Sequence, residues 1–64
     1  MNENLIDHEM WKQRIKLSVL SARLEISASH LANIRDSKTK PNVFLAYKIA
    51  KELKVSINYL FKLD

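Results

Sequence analysis

The stretch SASHLANIRD, residues 27–36, determines how the rest of this chain is arranged. Its only large apolar residues are Leu31 and Ile34, one helical step apart, and the others are small or polar. A helix with so narrow an apolar edge docks on a core along that edge and leaves most of its surface free. Ser27 is a suitable N-cap, and Ile26 before it suits a hydrophobic staple. We therefore predict a helix from the cap to about Arg35, with a free outer face.

Length and composition narrow the class of protein. Sixty-four residues suffice for one domain with one core, which leaves no room for a deep catalytic cleft. The chain contains no cysteine, and this excludes disulfides and thiolate zinc sites. The acids near its start do not suit a secretion signal, and its apolar runs are too short to span a membrane. We therefore expect a cytoplasmic protein.

The charge pattern favours a polyanionic partner, because the net charge is +4 over so short a chain. Acids cluster in the first nine residues, whereas cations form two groups further along. The first group consists of Lys12, Arg14 and Lys16, and the second of Arg35, Lys38 and Lys40.

The spacing of apolar residues predicts five helices. The first covers about 5–14, and we expect Trp11, the only tryptophan, to anchor it in the core. The second ends near Glu25. Its start is left open, because residues 14–18 contain no Gly, Pro or Asn. Either Ser18 caps a separate helix or one longer helix continues through this segment.

Two more helices follow a polar loop that Pro41 closes. Asn42 is placed to cap the fourth helix, which has the cleanest amphipathic pattern in the chain. Ser56 is placed to cap a last helix of about 56–62, whereas residues 1–4 are expected to fray. The expected core consists of Leu5, Trp11, Leu20, Leu24, Leu31, Ile34, Ala46, Ile49, Ala50, Leu53, Val55 and Leu60.

Two short helices joined by a tight turn, the second nearly bare on its outer face, are typical of a helix-turn-helix. From residue 20 onward the chain resembles the phage Cro/repressor family of helix-turn-helix domains. The resemblance is carried, in order, by Leu20 and Leu24, Ile26-Ser27, Leu31 and Ile34, SKTKP at 37–41, and IAKELKVS at 49–56. It implies an all-α fold, a compact five-helix bundle of the lambda-repressor-like kind. The single domain would cover residues 1–64, with the helix-turn-helix at about 17–36.

The chain departs from that family in the helix-turn-helix itself. Ser21 and Glu25 stand where the family usually has Ala and Gly. Leu17 stands near the place of a Gln that often contacts a phosphate.

A second departure concerns an ion pair. The family often joins a buried Arg on helix 1 to a Glu late in helix 3, but Met10 and Arg35 occupy those places here. We hypothesise that Arg35 meets Asp7 or Glu9 instead, with the polarity reversed.

The resemblance also implies where DNA contacts lie. Base contacts are expected from the start and outer face of the third helix, at Ser27, Ala28, Ser29, Ala32 and Asn33. Asn pairs bidentately with adenine, Ser donates or accepts, and Ala packs on a thymine methyl, so Asn33 is the best single specificity residue. Phosphate contacts are expected from Lys38, Thr39, Lys40 and Asn42. Further candidate contacts are His30, Asp36, Arg14 and Lys16.

The C-terminal segment is more apolar than a short last helix requires, which indicates a partner surface. We expect a dimer interface formed by Phe44, Tyr59, Phe61 and Leu63. The predicted function is that of a sequence-specific transcription regulator. It would be a dimeric Cro-like repressor, bacterial or prophage, that binds double-stranded DNA at a pseudo-palindromic operator and acts at the nucleoid of a bacterial or phage-infected cell.

Other functions remain open. Antitoxins and antagonists of other regulators resemble this family, so a protein-interaction module on the same fold is the main alternative. An RNA-binding domain is less favoured, because residues 27–42 contain no aromatic stacking platform. We expect no catalysis, cofactor or small-molecule ligand. His8 and His30 have no acid at ligand spacing to both, and nothing supplies an oxyanion hole for Asp7, His8 and Ser18, so we predict neither a metal site nor a triad.

Overall fold

Five α-helices make up the part of the chain that the computed structural model describes, residues 4–63. They are α1 Ile6–Gln13, α2 Leu17–Leu24, α3 Ala28–Arg35, α4 Val43–Leu53 and α5 Ile57–Phe61. The longest, α4, packs against α1, α2 and α5, and α2 packs in addition against α3. The helices form a body of 29 × 23 × 23 Å. The predicted all-α bundle of five helices is confirmed.

Three helices begin at the residues that the sequence predicts as caps. The side-chain oxygens of Ser27, Asn42 and Ser56 each accept a hydrogen bond from the amide three residues later, at 3.0, 2.8 and 3.2 Å. These bonds satisfy amides that have no acceptor inside the helix. The start of α2 is different, because Lys16 is its N-cap and makes no side-chain bond. Ser18 lies inside α2, so the expectation that it caps this helix is wrong.

Four of the five described helices in this glycine-free chain end on a residue with left-handed backbone. These residues are Arg14, Glu25, Lys54 and Lys62, with φ between 54° and 60°, whereas α3 ends at Asp36 with φ of −87° and the left-handed residue is the next one, Ser37. At the end of α2, the amide of Glu25 donates to Ala22 O at 3.2 Å and the amide of Ile26 to Ser21 O at 3.1 Å. This pair of bonds defines a Schellman motif, which closes the last turn of a helix. The same geometry at Arg14 separates α1 from α2 and decides against one continuous helix.

Apolar residues make these unusual helix ends favourable. Ile15, Ile26 and Val55 each follow a left-handed residue and pack against the core. Burial of that side chain offsets the steric cost of a non-glycine residue in left-handed backbone. The chain therefore turns sharply at Arg14, Glu25 and Lys54 without glycine.

The core draws on all five helices. Its buried apolar residues are Ile6, Met10, Leu20, Leu24, Leu31, Ile34, Ala46, Ile49, Ala50, Leu53 and Leu60. The prediction that Trp11 anchors the core is wrong, because 80% of this side chain is exposed. Ile6 and Met10 face the core, and Trp11 lies about 100° round the helix from Met10. Leu5 and Val55, also predicted as core, are only partly buried against it.

Asn4 and Leu5 tie the start of the described chain to α3 and α5. Its Nδ2 donates to Ile34 O at 3.0 Å, and its Oδ1 accepts from the first amide of α1 at 3.0 Å. The amide of Leu5 donates to Leu60 O at 2.8 Å. The expected fraying is therefore wrong for Asn4, which is buried. The rest of that expectation falls on residues 1–3, outside the described residues.

Glu9 is a buried carboxylate that joins α1 to the C-terminal part of the fold. It accepts hydrogen bonds from Gln13 Nε2 at 2.9 Å and from the Tyr59 hydroxyl at 2.8 Å. Gln13 Nε2 also donates to Leu53 O at 2.6 Å. The bonds from Gln13 and Tyr59 lower the pKa of Glu9, and the bond to Glu9 raises the pKa of Tyr59. A charged Glu9 thus stabilises the junction of α1, α4 and α5.

Candidate nucleic-acid interface

Helix α3 is attached to the domain by one narrow edge, as the sequence predicts. Leu31 and Ile34 are its two buried residues, with 0% and 1% of their surface exposed. The contact is made mainly with α2, so the two helices and the turn at Glu25 form a helix-turn-helix. Asn4 holds the far end of α3 through Ile34 O. The apolar edge of α3, the turn at Glu25 and the hydrogen bond from Asn4 together fix the orientation of the exposed face of α3.

The outer face of α3 carries a row of small and polar side chains. Ser27, Ala28, Ser29 and Asn33 are exposed, whereas Ala32 is half-buried. All side chains on this row are short, so the helix backbone can approach a partner closely. Amide and hydroxyl groups on such a face can pair with base edges in a major groove, and alanine methyls can contact a thymine methyl. Ala28, Ser29, Ala32 and Asn33 thus lie on the part of α3 that points away from its buried edge, and Ser27 caps the start of the helix.

The cap of α3 leaves one donor for a ligand. Ser27 Oγ accepts from the amide of His30, but its hydroxyl hydrogen remains available to donate. The His30 side chain is exposed beside it. Both side chains therefore lie at the N-terminal end of α3, where the helix dipole favours an anion.

The end of α3 carries an ion pair that differs from the one hypothesised. Arg35 donates from Nε to Asp36 Oδ1 at 2.9 Å and from its terminal nitrogen to Asp36 Oδ2 at 3.2 Å. This pairing raises the pKa of Arg35 and lowers the pKa of Asp36. Glu9 is occupied by Gln13 and Tyr59, so it does not meet Arg35, and Asp7 acts on Arg35 only through its charge. The hypothesis of an Arg35 bridge to Asp7 or Glu9 is wrong, because an adjacent carboxylate reaches the guanidinium first.

The loop between α3 and α4 presents cations beside the outer face of α3. Lys38, Thr39 and Lys40 are exposed. Asn42 uses its Oδ1 to cap α4, which leaves its amide hydrogens free to donate. Next to it, the first amides of α4 point out of the helix end, which suits an anion. The four residues expected to contact phosphate therefore lie together in one loop and the helix start that follows it.

A second cationic region lies at the turn between α1 and α2. Arg14 and Lys16 are exposed on either side of Ile15, which packs against the core. Lys16 precedes the first turn of α2, whose early amides have no side-chain cap. Arg14 and Lys16 are therefore neighbours in the chain, and they lie on a different segment from the α3–α4 loop.

The residues expected to form a dimer interface are exposed to different extents. Phe44 is 72% exposed and Leu63 is 61% exposed, whereas Phe61 is half-buried and packs against the core. The Tyr59 ring is partly exposed, but its hydroxyl is bonded to Glu9. An open groove of about 590 Å³ runs past the start of α4 and the end of α5. Its lining includes Val43, Ile57, Phe61 and Leu63, with Lys40 and Lys62.

Residue Trp11 is the exposed feature that the sequence analysis missed. Two apolar pairs, Leu5-Ile6 and Met10-Trp11, are spaced so that either member can face inward. The spacing from Ile6 to Met10 was the signal for the correct rotation of α1. Glu9 and Gln13 lie on the same side of α1 as Ile6 and Met10, and their polarity made this side resemble the outward face.

No three side chains of His, Asp or Glu within residues 4–63 come close enough to hold a metal ion. None of the helices in this part of the chain is both long and apolar enough to cross a membrane.

Comparison with known proteins agrees with this geometry. A family model described as helix-turn-helix matches residues 10–60, which covers α2 to α5 and the end of α1. No curated protein matches the chain. The family is of the Cro/repressor type, and it is a DNA-binding regulatory family rather than an enzymatic one. The chain therefore belongs to the Cro/repressor-type helix-turn-helix family and is a regulator of transcription that binds double-stranded DNA.

Proposed function

We propose that the protein is a sequence-specific, Cro-like repressor that binds a pseudo-palindromic operator as a homodimer. The observation that carries this proposal is that Leu31 and Ile34 are the only fully buried side chains of α3, which leaves a row of short side chains exposed. A major groove admits a helix of this kind. Repression follows from occupancy of a promoter and requires no chemistry from the protein.

Sequence recognition is assigned to the outer face of α3. Asn33 provides the bidentate pairing suited to adenine, while Ser27 and Ser29 provide single hydrogen bonds. Ala28 and Ala32 contact thymine methyl groups. Since only Asn33 offers two hydrogen bonds, the specificity of the row also depends on DNA shape.

We assign the positioning of the protein along the DNA groove to its phosphate contacts. Lys38 and Lys40 approach the backbone from the loop, supported by Thr39 and by the amide of Asn42. His30, Arg14 and Lys16 contribute at the edges of the site. Asp36 is held by Arg35 and lies next to Lys38, so its charge limits the positive potential at the end of α3.

We assign the homodimer interface to the apolar residues at the start of α4 and toward the end of α5. Phe44 and Leu63 offer the most apolar area among the four interface residues, and Phe61 and Tyr59 extend it. A two-fold arrangement would place the two copies of α3 about 34–36 Å apart, one helical turn of DNA. Exposure of this apolar surface in a monomer is unfavourable, so a second copy is the expected cover.

The test is selection of binding sites from a randomised pool of double-stranded DNA. A palindromic consensus with half-sites about 10–10.5 base pairs apart is expected. Absence of enrichment, together with no salt-sensitive binding to genomic DNA, would contradict the proposal and favour a protein-interaction module.

Variants then separate the two kinds of contact. Asn33→Ala should weaken binding to the selected site by about tenfold or more and relax preference at one base pair, an effect of about 1–3 kcal/mol. Lys38→Ala and Lys40→Ala should each weaken all sequences alike and reduce the salt slope by about 0.9. Lys51→Ala is the control, because Lys51 is an exposed lysine on α4 with no assigned contact.

The dimer is tested by sedimentation with Phe44→Asp and Leu63→Asp, whose side chains are exposed and whose loss does not open the core. Both variants should remain folded and become monomeric, with weaker binding to the palindrome. A dimer that persists in both would exclude this interface.

A further inference from the structure

We propose that Trp11, together with Arg14 and Lys16, forms a second surface for the DNA backbone, separate from the α3–α4 loop. The inference rests on the proposed function, and it names a contact that neither the helix-turn-helix nor the loop provides. It concerns Trp11, which was predicted as a core residue but is largely exposed.

The exposure of Trp11 calls for a partner. It is the most exposed aromatic residue among residues 4–63, at 80%. Burial of an indole is one of the larger apolar contributions available to a small protein. Here the fold places Met10 in the core and leaves the indole outside, so this ring contributes little to the stability of the isolated domain.

Trp11 lies on the face of α1 that carries Asp7, and it lines a hollow with Asn4. Asn4 is hydrogen-bonded to Ile34 O near the end of α3. Asp7 lies one turn before Trp11 on the same face of α1, and its charge reaches Arg35. The hydrogen bond from Asn4, together with the charge of Asp7, places the start of α1 near the C-terminal end of α3, with Trp11 one turn further along α1.

Cations surround the other side of the indole. A second hollow there is lined by Met10, Ile15 and Trp11 together with Lys12, Arg14 and Lys16, and contains no carboxylate. The ring therefore lines one hollow with Asn4, which is bonded to α3, and a second hollow with three positive charges. An aromatic ring among cations matches the sugar–phosphate backbone, which offers apolar deoxyribose faces beside phosphate oxygens.

The neighbouring side chains favour DNA over a lipid surface. A helix that lies on a bilayer presents several apolar residues along one face. The exposed neighbours of Trp11 on α1 are Asp7, His8 and Lys12, so the indole is a single apolar contact. Continuity with α3 favours DNA over an acidic protein, which becomes an outcome of the test.

The experiment uses the emission of Trp11, the only tryptophan of the chain. On titration with the selected duplex, the emission should shift to the blue, acrylamide quenching should fall, and both should saturate at the affinity measured by anisotropy of labelled DNA. Trp11→Ala should bind about tenfold more weakly, which corresponds to withdrawal of about 55 Å² of apolar surface from water. Trp11→Phe should stay within about threefold of the unaltered protein.

A matched control is Tyr47→Ala, which removes another aromatic side chain that is 55% exposed but lies on α4. It should change affinity by less than about twofold. Circular dichroism at the titration temperature shows whether each variant is folded, and the emission of the unaltered protein decides the question even if a variant does not fold.

The outcomes separate this inference from the proposed function. If the duplex binds but the emission is unchanged and Trp11→Ala binds normally, Trp11 does not contact DNA and the function stands. If no duplex binds, the proposed function fails as well. An equal response to polyglutamate at the same ionic strength would assign the surface to acidic proteins and overturn the inference.

Discussion

Replacement of Glu25 by glycine should stabilise the protein. Glu25 ends α2 inside the helix-turn-helix with φ of 60°, in the left-handed region where a Cβ atom is crowded. That crowding costs about 1–2 kcal/mol for a residue other than glycine. Glycine also increases the freedom of the unfolded chain, which offsets about 0.4–1 kcal/mol. The net gain in the free energy of unfolding is about 0.5–1 kcal/mol.

The measurement is thermal and urea unfolding of Glu25→Gly beside Glu25→Ala. For a domain of this size the gain corresponds to a rise in Tm of about 4–7 °C. The alanine variant removes the same carboxylate but keeps Cβ, so it should lie within about 0.5 kcal/mol of the unaltered protein. This control separates backbone relief from the loss of a negative charge near the DNA surface.

A second control places glycine where the backbone is helical. Ala22→Gly, at an exposed position inside α2, should destabilise by about 1 kcal/mol. Lys54→Gly, with φ of 60° at the end of α4, should repeat the gain seen at Glu25. If Glu25→Gly is no more stable than Glu25→Ala, the steric argument for these helix ends is refuted.

Three further predictions concern buried groups. Because hydrogen bonds lower the pKa of Glu9, its charged form contributes stability that is present above its ordinary pKa near 4.5 and is lost as the pH falls through the lower folded value. In urea titrations, Glu9→Gln should therefore be less stable than the unaltered protein at pH 7 and should differ less from it at pH 3. The pKa of Tyr59 should also fall in ultraviolet titration of this variant. An equal loss of stability at both pH values would refute this account. Asn4→Ala removes one of two donors to Ile34 O, which keeps the amide of Ser37 at 3.1 Å, and leaves the first amide of α1 without its acceptor. Chemical unfolding should therefore show a loss of about 1–3 kcal/mol, whereas an unchanged midpoint would mean that these bonds add nothing. Leu31→Ala, at a fully buried position, should cost about 2–5 kcal/mol, and a loss below 1 kcal/mol would mean that α3 is not held by this edge.

The local chemistry of the sequence was sufficient to predict most helix starts. Serine or asparagine before an apolar run provides the same capping bond wherever the helix later packs, so Ser27, Asn42 and Ser56 were assigned correctly. The edge of α3 was equally clear, because Leu31 and Ile34 had no apolar competitors in their segment. The helix end at Arg14 was left open, since no glycine marked the left-handed position.

The rotation of α1 could not be predicted with the same confidence from its own residues. Trp11 and Met10 are both apolar, and the choice between them depends on how α1 meets α4 and α5. The buried bonds of Glu9 to Gln13 and Tyr59 favour the rotation that exposes the indole. Tyr59 is fifty residues from Glu9 in sequence, so no local pattern reveals this contact.

Sequence alone thus determined the number of helices, most of their caps and the free face of α3, because these depend on neighbours within one or two turns. The tertiary structure decided two things that depend on distant segments. It placed Asn4 against the end of α3, and it left Trp11 outside the core. Contacts over such separations depend on the packing of all five helices at once, and no single segment of the chain determines that packing.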